Sequence, residues 1–142
     1  MRYFNVFGPR QDPSSEYSGV ISRFISAMLE GEQPVIFGDG EQTRDFIYVA
    51  DVVAANILSC KSSVCGVFNI ACAKSTSLNT LAQSIGKILG REVHPEYKAP
   101  RPGDIRHSLA DVGKAKDMGF EPKYRLEEGL RETIRWFEKN RS

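Results

Sequence analysis

The chain opens directly on Arg2-Tyr3-Phe4-Asn5-Val6-Phe7, closed by Gly8-Pro9. This run of aromatic and β-branched residues reads as a buried strand, because such side chains suit a covered, pleated surface and Gly-Pro ends a ladder. Its neighbours must come from later in the chain or from outside it, and no other feature constrains the fold as strongly.

The rest of the chain alternates between the two periods. Gln11 to Glu16 reads as a polar loop, followed by a helix with Val20, Ile21, Phe24, Ile25, Met28 and Leu29 on one face and Gly31 as its stop. Pro34 to Phe37 is a short strand entering the turn Gly38-Asp39-Gly40. Arg44 to Tyr48 is extended, Asp51 to Ser59 helical, and Val67 to Ile70 a strand. Ser75-Thr76-Ser77 supplies N-caps for a helix carrying Leu78, Leu81, Ala82, Ile85 and Leu89 and ending at Gly90. Glu92 to Tyr97 is an edge strand, since Pro95 cannot donate to a ladder. Ala99 to Ser108 is a charged loop. Asp111 caps a short helix ending near Gly119, and Leu126, Leu130, Ile134 and Phe137 stripe the last helix. The class is α/β, built as a small lobe with short, separated strands.

The 142 residues suit one domain. With 19 Lys+Arg against 18 Asp+Glu the formal charge is +1, which gives no electrostatic basis for a nucleic acid or membrane partner. No apolar run approaches the ~20 residues of a membrane-spanning helix. Cys60, Cys65 and Cys72 lack C-x-x-C spacing and a matching His pair, so neither a disulfide framework nor a metal site is expected, in keeping with the cytoplasm.

Gly38-Asp39-Gly40 begins like a dinucleotide fingerprint, but it lacks the third glycine and leads into extended Arg44 to Tyr48. A phosphate cradle needs a helix N-terminus at that point, so a tight turn is the better reading. No G-x-S-x-G elbow occurs, and no tyrosine is followed four residues later by lysine on a helix. The chain therefore shows no catalytic residues of its own. Anion-binding candidates remain. Arg101 stands between Pro100 and Pro102, where a stiffened backbone reduces the entropy lost when a guanidinium grips phosphate. Asp104 follows three residues later and can accept bonds from sugar hydroxyls. The competing reading makes Arg44 and Asp45 structural ion pairs and leaves Arg101 solvated. Asn5 is unusual in a strand, so its amide is either satisfied by the backbone or aimed at a ligand. His107 reads as a hydrogen-bonded loop residue, and Phe37 and Tyr48 as core residues before base-stacking platforms.

Three segments together, Arg2 to Pro13, Phe37 to Val49 and Arg101 to Ser108, resemble the NAD-dependent sugar-nucleotide epimerase/dehydratase family, extended short-chain dehydrogenases that include UDP-glucose and UDP-N-acetylglucosamine 4-epimerases. The resemblance covers the chain but only the C-terminal part of the family's pattern, beginning just after its Tyr-x-x-x-Lys pair. It implies a C-terminal substrate-binding lobe of an extended Rossmann-type dehydrogenase, with one strand left from the cofactor-binding sheet. Residues 1–13 would be that strand and its loop, residues 14–142 the lobe, and the abrupt start a cut.

By the same resemblance Tyr3 lies beside the nicotinamide of NAD, which the absent N-terminal half would bind. Asn5 contacts the diphosphate or sugar, and Val35 to Phe37 lie along the uracil. Arg44 and Arg101 bind the diphosphate, and Asp104 holds the ribose. Ser108 stands beside the hexose, where a small side chain admits N-acetylhexosamines. The implied activity is UDP-sugar 4-epimerisation by hydride transfer at C4 through a 4-keto sugar, in a full-length homodimer, with this chain alone inactive. A nucleotide-sugar 4,6-dehydratase or UDP-glucuronate decarboxylase is one alternative. A standalone, non-catalytic UDP-sugar-binding or interaction module is another.

Overall fold

The computed structural model describes residues 1–15 and 19–140. Glu16, the last residue of the predicted polar loop, lies outside them. The alternation of short strands and helices is present throughout. The first strand is split into β1 (Arg2–Tyr3) and β2 (Val6–Phe7). Between them Asn5 takes a left-handed backbone with φ 27°, a conformation that asparagine tolerates better than most residues. The expected burial of the whole run is corrected here: Phe7 is buried, but Arg2 and Tyr3 are exposed. The physical reason is that β1 has a strand on one side only. It pairs in parallel with β6 (Asn69–Ile70), Arg2 opposite Asn69, through N–H bonds from Arg2 and Phe4. The N–H of Tyr3 therefore points to the other edge.

Three further pairs complete the strands. β2 lies parallel to β5 (Ile47–Tyr48), and β3 (Val35–Phe37) lies parallel to β8 (Glu96–Lys98). β4 (Thr43–Arg44) runs antiparallel to β7 (Thr76–Ser77). The expected strand Glu92 to Tyr97 is shorter and shifted: β8 begins one residue after Pro95 and pairs with β3.

The helices follow the hydrophobic spacing. α1 (Val20–Glu30) buries Ile21, Phe24, Ile25, Met28 and Leu29, and Gly31 closes it in the left-handed region with φ 85°. α2 (Val49–Lys61) is buried only through Asp51, Val52 and Ala55. α3 (Leu78–Leu89) is capped by Ser77, whose hydroxyl accepts the Thr80 N–H at 3.1 Å. In α4 (Gly113–Asp117) the cap position is Val112, one residue past the expected Asp111; the Asp111 carboxylate still accepts the Gly113 N–H at 2.8 Å. α5 (Leu126–Lys139) buries Leu130, Ile134 and Phe137.

Two main apolar clusters result. The larger joins α1, α3 and α5 to Phe7, Ile36, Phe46 and Tyr48. The second gathers Ile47, Val52, Ala55, Phe68, Ile70, Ala115 and Phe120. Truncating a fully buried residue such as Ile25 to alanine costs about 2–5 kcal/mol. No helix among the described residues is long and apolar enough to cross a membrane.

Candidate functional site

The Gly38–Gly40 turn lets β3 and β4 meet at one wall. Gly38 and Gly40 have φ 89° and 78°, which suit glycine. At Gly40 a Cβ would also stand 2.0 Å from Asn79 Oδ1. Asn79, on α3, donates to the Asp39 carbonyl at 3.0 Å and to Glu41 at 2.6 Å, so the turn is clasped to that helix. Arg106 grips Asp39 through two bonds of 2.6 and 2.9 Å, and this guanidinium holds the Asp39 carboxyl down at about 2. The charged loop is drawn in as well. Thr43 N–H donates to the Arg106 carbonyl at 2.8 Å, and Ser108 N–H to the Thr43 carbonyl at 3.1 Å. Thr43 Oγ1 and His107 Nδ1 lie 3.0 Å apart, so His107 is the hydrogen-bonded loop residue expected.

These clasps place a cleft of about 420 Å³ between α1, the β3–β4 turn and the charged loop. Its size falls in the usual range for small-ligand sites. Six of the eight candidate residues line it: Asn5, Val35, Phe37, Arg44, Arg101 and Asp104. Tyr3 and Ser108 are elsewhere. Tyr3 donates its hydroxyl to Asn56 of α2 at 2.8 Å on an exposed face.

Arg44 is held firmly, with its side chain 17% exposed. Nη1 donates to the carbonyls of Thr43 at 2.8 Å and Ile105 at 2.6 Å, and Nη2 to Asp104 at 3.0 Å. Its ion-pair partner is thus Asp104 and not Asp45. Asp45 is fully buried and instead accepts the N–H groups of Cys72 at 3.0 Å and Ala110 at 3.3 Å. Arg101 is not merely solvated, because its guanidinium lies 3.8 Å from the centroid of the Phe37 ring. Phe37 therefore faces the cleft, whereas Tyr48 is core, 8% exposed and packed on Phe7 and Tyr124. Asn5 takes the first of its two readings, Nδ2 donating to the Asp45 carbonyl at 3.0 Å, and the residue also lines the cleft.

The sequence reading missed Gln11 and Gln42, which also line the cleft. In extended backbone, residues two apart share a face, so Gln42 could have been placed beside Arg44. Each glutamine has a buried Oε1 with no hydrogen-bond partner.

A family model described as the NAD dependent epimerase/dehydratase family matches residues 1–71. The chain belongs to this family. Among solved structures, the UDP-N-acetylglucosamine 4-epimerase of Methanobrevibacter ruminantium, in complex with UDP-N-acetylmuramic acid, superposes with a TM-score of 0.94 at 52% identity, over 99% of this chain and 46% of that one. The UDP-glucose 4-epimerase of Mycolicibacterium smegmatis is 39% identical over 135 residues, 94% of this chain and 43% of the relative. The UDP-N-acetyl-α-D-glucosaminuronate decarboxylase of Bacillus cytotoxicus is 39% identical over 145 residues, 96% of this chain and 45% of the relative. The chain spans less than half the length of these epimerase/dehydratase relatives, and its α/β architecture is that of the matched region.

NAD is the family's cofactor. The described residues do not fit it on their own, because the Gly38–Gly40 turn leads into a strand and offers no helix N-terminus to a pyrophosphate. No group of three metal-ligating side chains occurs among the described residues.

Proposed function

We propose that the chain is the UDP-sugar-binding lobe of an NAD-dependent nucleotide-sugar 4-epimerase. Residues 14–142 form the lobe, and residues 1–13 the strand and loop that join it to a cofactor half. The substrates are UDP-glucose and UDP-galactose, with the N-acetylated hexosamines admitted by the small Ser108. One observation carries the reading: six residues from separated segments, identified through the family resemblance, line a single cleft.

Their chemistry fits a nucleoside diphosphate. Arg44 and Arg101 offer charge-assisted hydrogen bonds to phosphate oxygens, each worth about 1.5–3 kcal/mol. Asp104 accepts from ribose hydroxyls, Val35 and Phe37 flank the base, and Asn5 meets the diphosphate–sugar end. In the complete enzyme NAD supplies hydride transfer at C4. This lobe holds the nucleotide, so that a 4-keto sugar can turn while its diphosphate stays anchored. A cytoplasmic homodimer belongs to the same proposal.

Similarity to the Bacillus cytotoxicus decarboxylase favours a second reading, a nucleotide-sugar decarboxylase on the same scaffold. Product analysis separates the two. The polypeptide joining this lobe to a Tyr-x-x-x-Lys half is incubated with UDP-glucose, UDP-N-acetylglucosamine and UDP-glucuronate, and the products are read by NMR. C4-epimerised hexoses are expected from the first two. Carbon dioxide and a pentose from the third alone would overturn the epimerase reading.

A further inference from the structure

Arg106 is tied twice to the segment that carries Phe37 and Arg44. Its carbonyl accepts the Thr43 N–H at 2.8 Å, and its guanidinium forks the Asp39 carboxylate at 2.6 and 2.9 Å. Asp39 is itself grounded. Its carbonyl accepts Asn79 Nδ2 at 3.0 Å, and its Oδ1 accepts the Glu41 N–H at 3.0 Å. Asn79 is held in turn by the Tyr97 hydroxyl, which donates to its Oδ1 at 2.9 Å. A guanidinium bound through two nitrogens fixes direction as well as distance. One anchor, at Thr43, would let the charged loop pivot, and the second, at the turn, sets its angle.

The pair stands outside the cleft. Asp39 and Arg106 line a separate, open depression with Tyr97, Lys98 and Pro100, and neither lines the cleft. Another side-chain tie to the loop runs through the cleft itself, because Arg44 donates to the Ile105 carbonyl and to Asp104. A phosphate that engages Arg44 competes for those bonds, so this tie weakens as the site fills. The Asp39–Arg106 pair meets no such competitor, and Arg101 and Asp104 stand on the same loop.

We propose that Arg106 is a positioning residue of the nucleotide site: its clasp on Asp39 holds Arg101 and Asp104 in place while Arg44 exchanges protein partners for phosphate. This rests on the nucleotide-sugar reading above and goes beyond it, since Arg106 acts from outside the cleft without touching the ligand.

Calorimetric titration with UDP tests it on the unaltered chain, Arg106→Ala, Asp39→Asn, their double variant and Arg106→Lys. Asparagine keeps an oxygen for the Glu41 N–H and removes only the charge. Arg106→Ala and Asp39→Asn should each weaken UDP about threefold to fivefold, the upper range for an exposed pair. The double variant should bind no more weakly than either, because both changes break the same interaction. Arg106→Lys should recover affinity to within about twofold of the unaltered chain. If Arg106 instead bound phosphate directly, Asp39→Asn would free the guanidinium and strengthen UDP. If it served fold stability alone, urea midpoints would fall while the folded variants kept full affinity. Either result overturns the assignment, as do additive losses in the double variant. Absence of UDP binding by the unaltered, folded chain overturns the nucleotide-sugar reading, and the positioning role with it.

Discussion

Asp104 and Arg44 hold each other at 3.0 Å, so the carboxylate competes with any phosphate for the guanidinium. Asp104→Ala should therefore tighten pyrophosphate binding about threefold, a screened surface effect, while UDP gains nothing because its hydroxyl acceptor is lost. An equal gain for both ligands would remove Asp104 from the ribose. Cys72 gives a second test at this scale. Burial, with the charges of Asp45 and Asp51, pushes its thiol up to about 11, while Cys60 and Cys65 are exposed. Iodoacetamide at pH 8 should modify Cys60 and Cys65 well before Cys72. A folded-state value above the ordinary one favours the neutral thiol, so its contribution to stability is complete below about 9 and lost as pH rises towards 11. Urea midpoints of the chain and of Cys72→Ala should converge over that window. The charged residues of the cleft were legible only through the family resemblance, because Arg44 and Arg101 on loops read by themselves as ion-paired or solvated. Gln42 and Gln11 were not, because an amide beside a turn reads as solvated until its burial is seen.

At the level of elements, α1 and α3 were legible to their ends, where apolar spacing, Gly31 and Gly90 agree, whereas α2 runs Val49–Lys61 beyond the expected Asp51 to Ser59. The strands were harder, because two- and three-residue ladders leave almost no period to read. Arg2 to Phe7 looked like one buried strand until the left-handed Asn5 divided it and one-sided pairing exposed β1. The Gly38–Gly40 turn was recognised as a turn, but its clasp to α3 through Asn79 depends on a contact 40 residues away in sequence. Gly40→Ala should destabilise the chain by about 1–3 kcal/mol, combining left-handed strain with the collision against Asn79. Gly119→Ala, with φ 91° and no atom near its Cβ, should cost less. Equal urea midpoints for the two variants would show that the Asn79 clasp yields freely.

Across the whole molecule, the two apolar clusters make a core, yet one side remains open. The free edge of β1 runs beside exposed Tyr3, and Val53 and Ile57 are exposed on α2. In the proposed enzyme this is the side that meets the cofactor half, while the cleft with Arg44 and Arg101 is formed within these residues. The central claim is that the cleft grips a nucleoside diphosphate sugar without that half. The most direct measurement is calorimetric titration of the chain with UDP-glucose and UDP-N-acetylglucosamine, repeated on Arg44→Ala and Arg101→Ala. Saturable 1:1 binding that weakens about tenfold or more in each variant is predicted, from the loss of one charge-assisted contact. No binding by the unaltered, folded chain, or affinity that both variants leave unchanged, would contradict it.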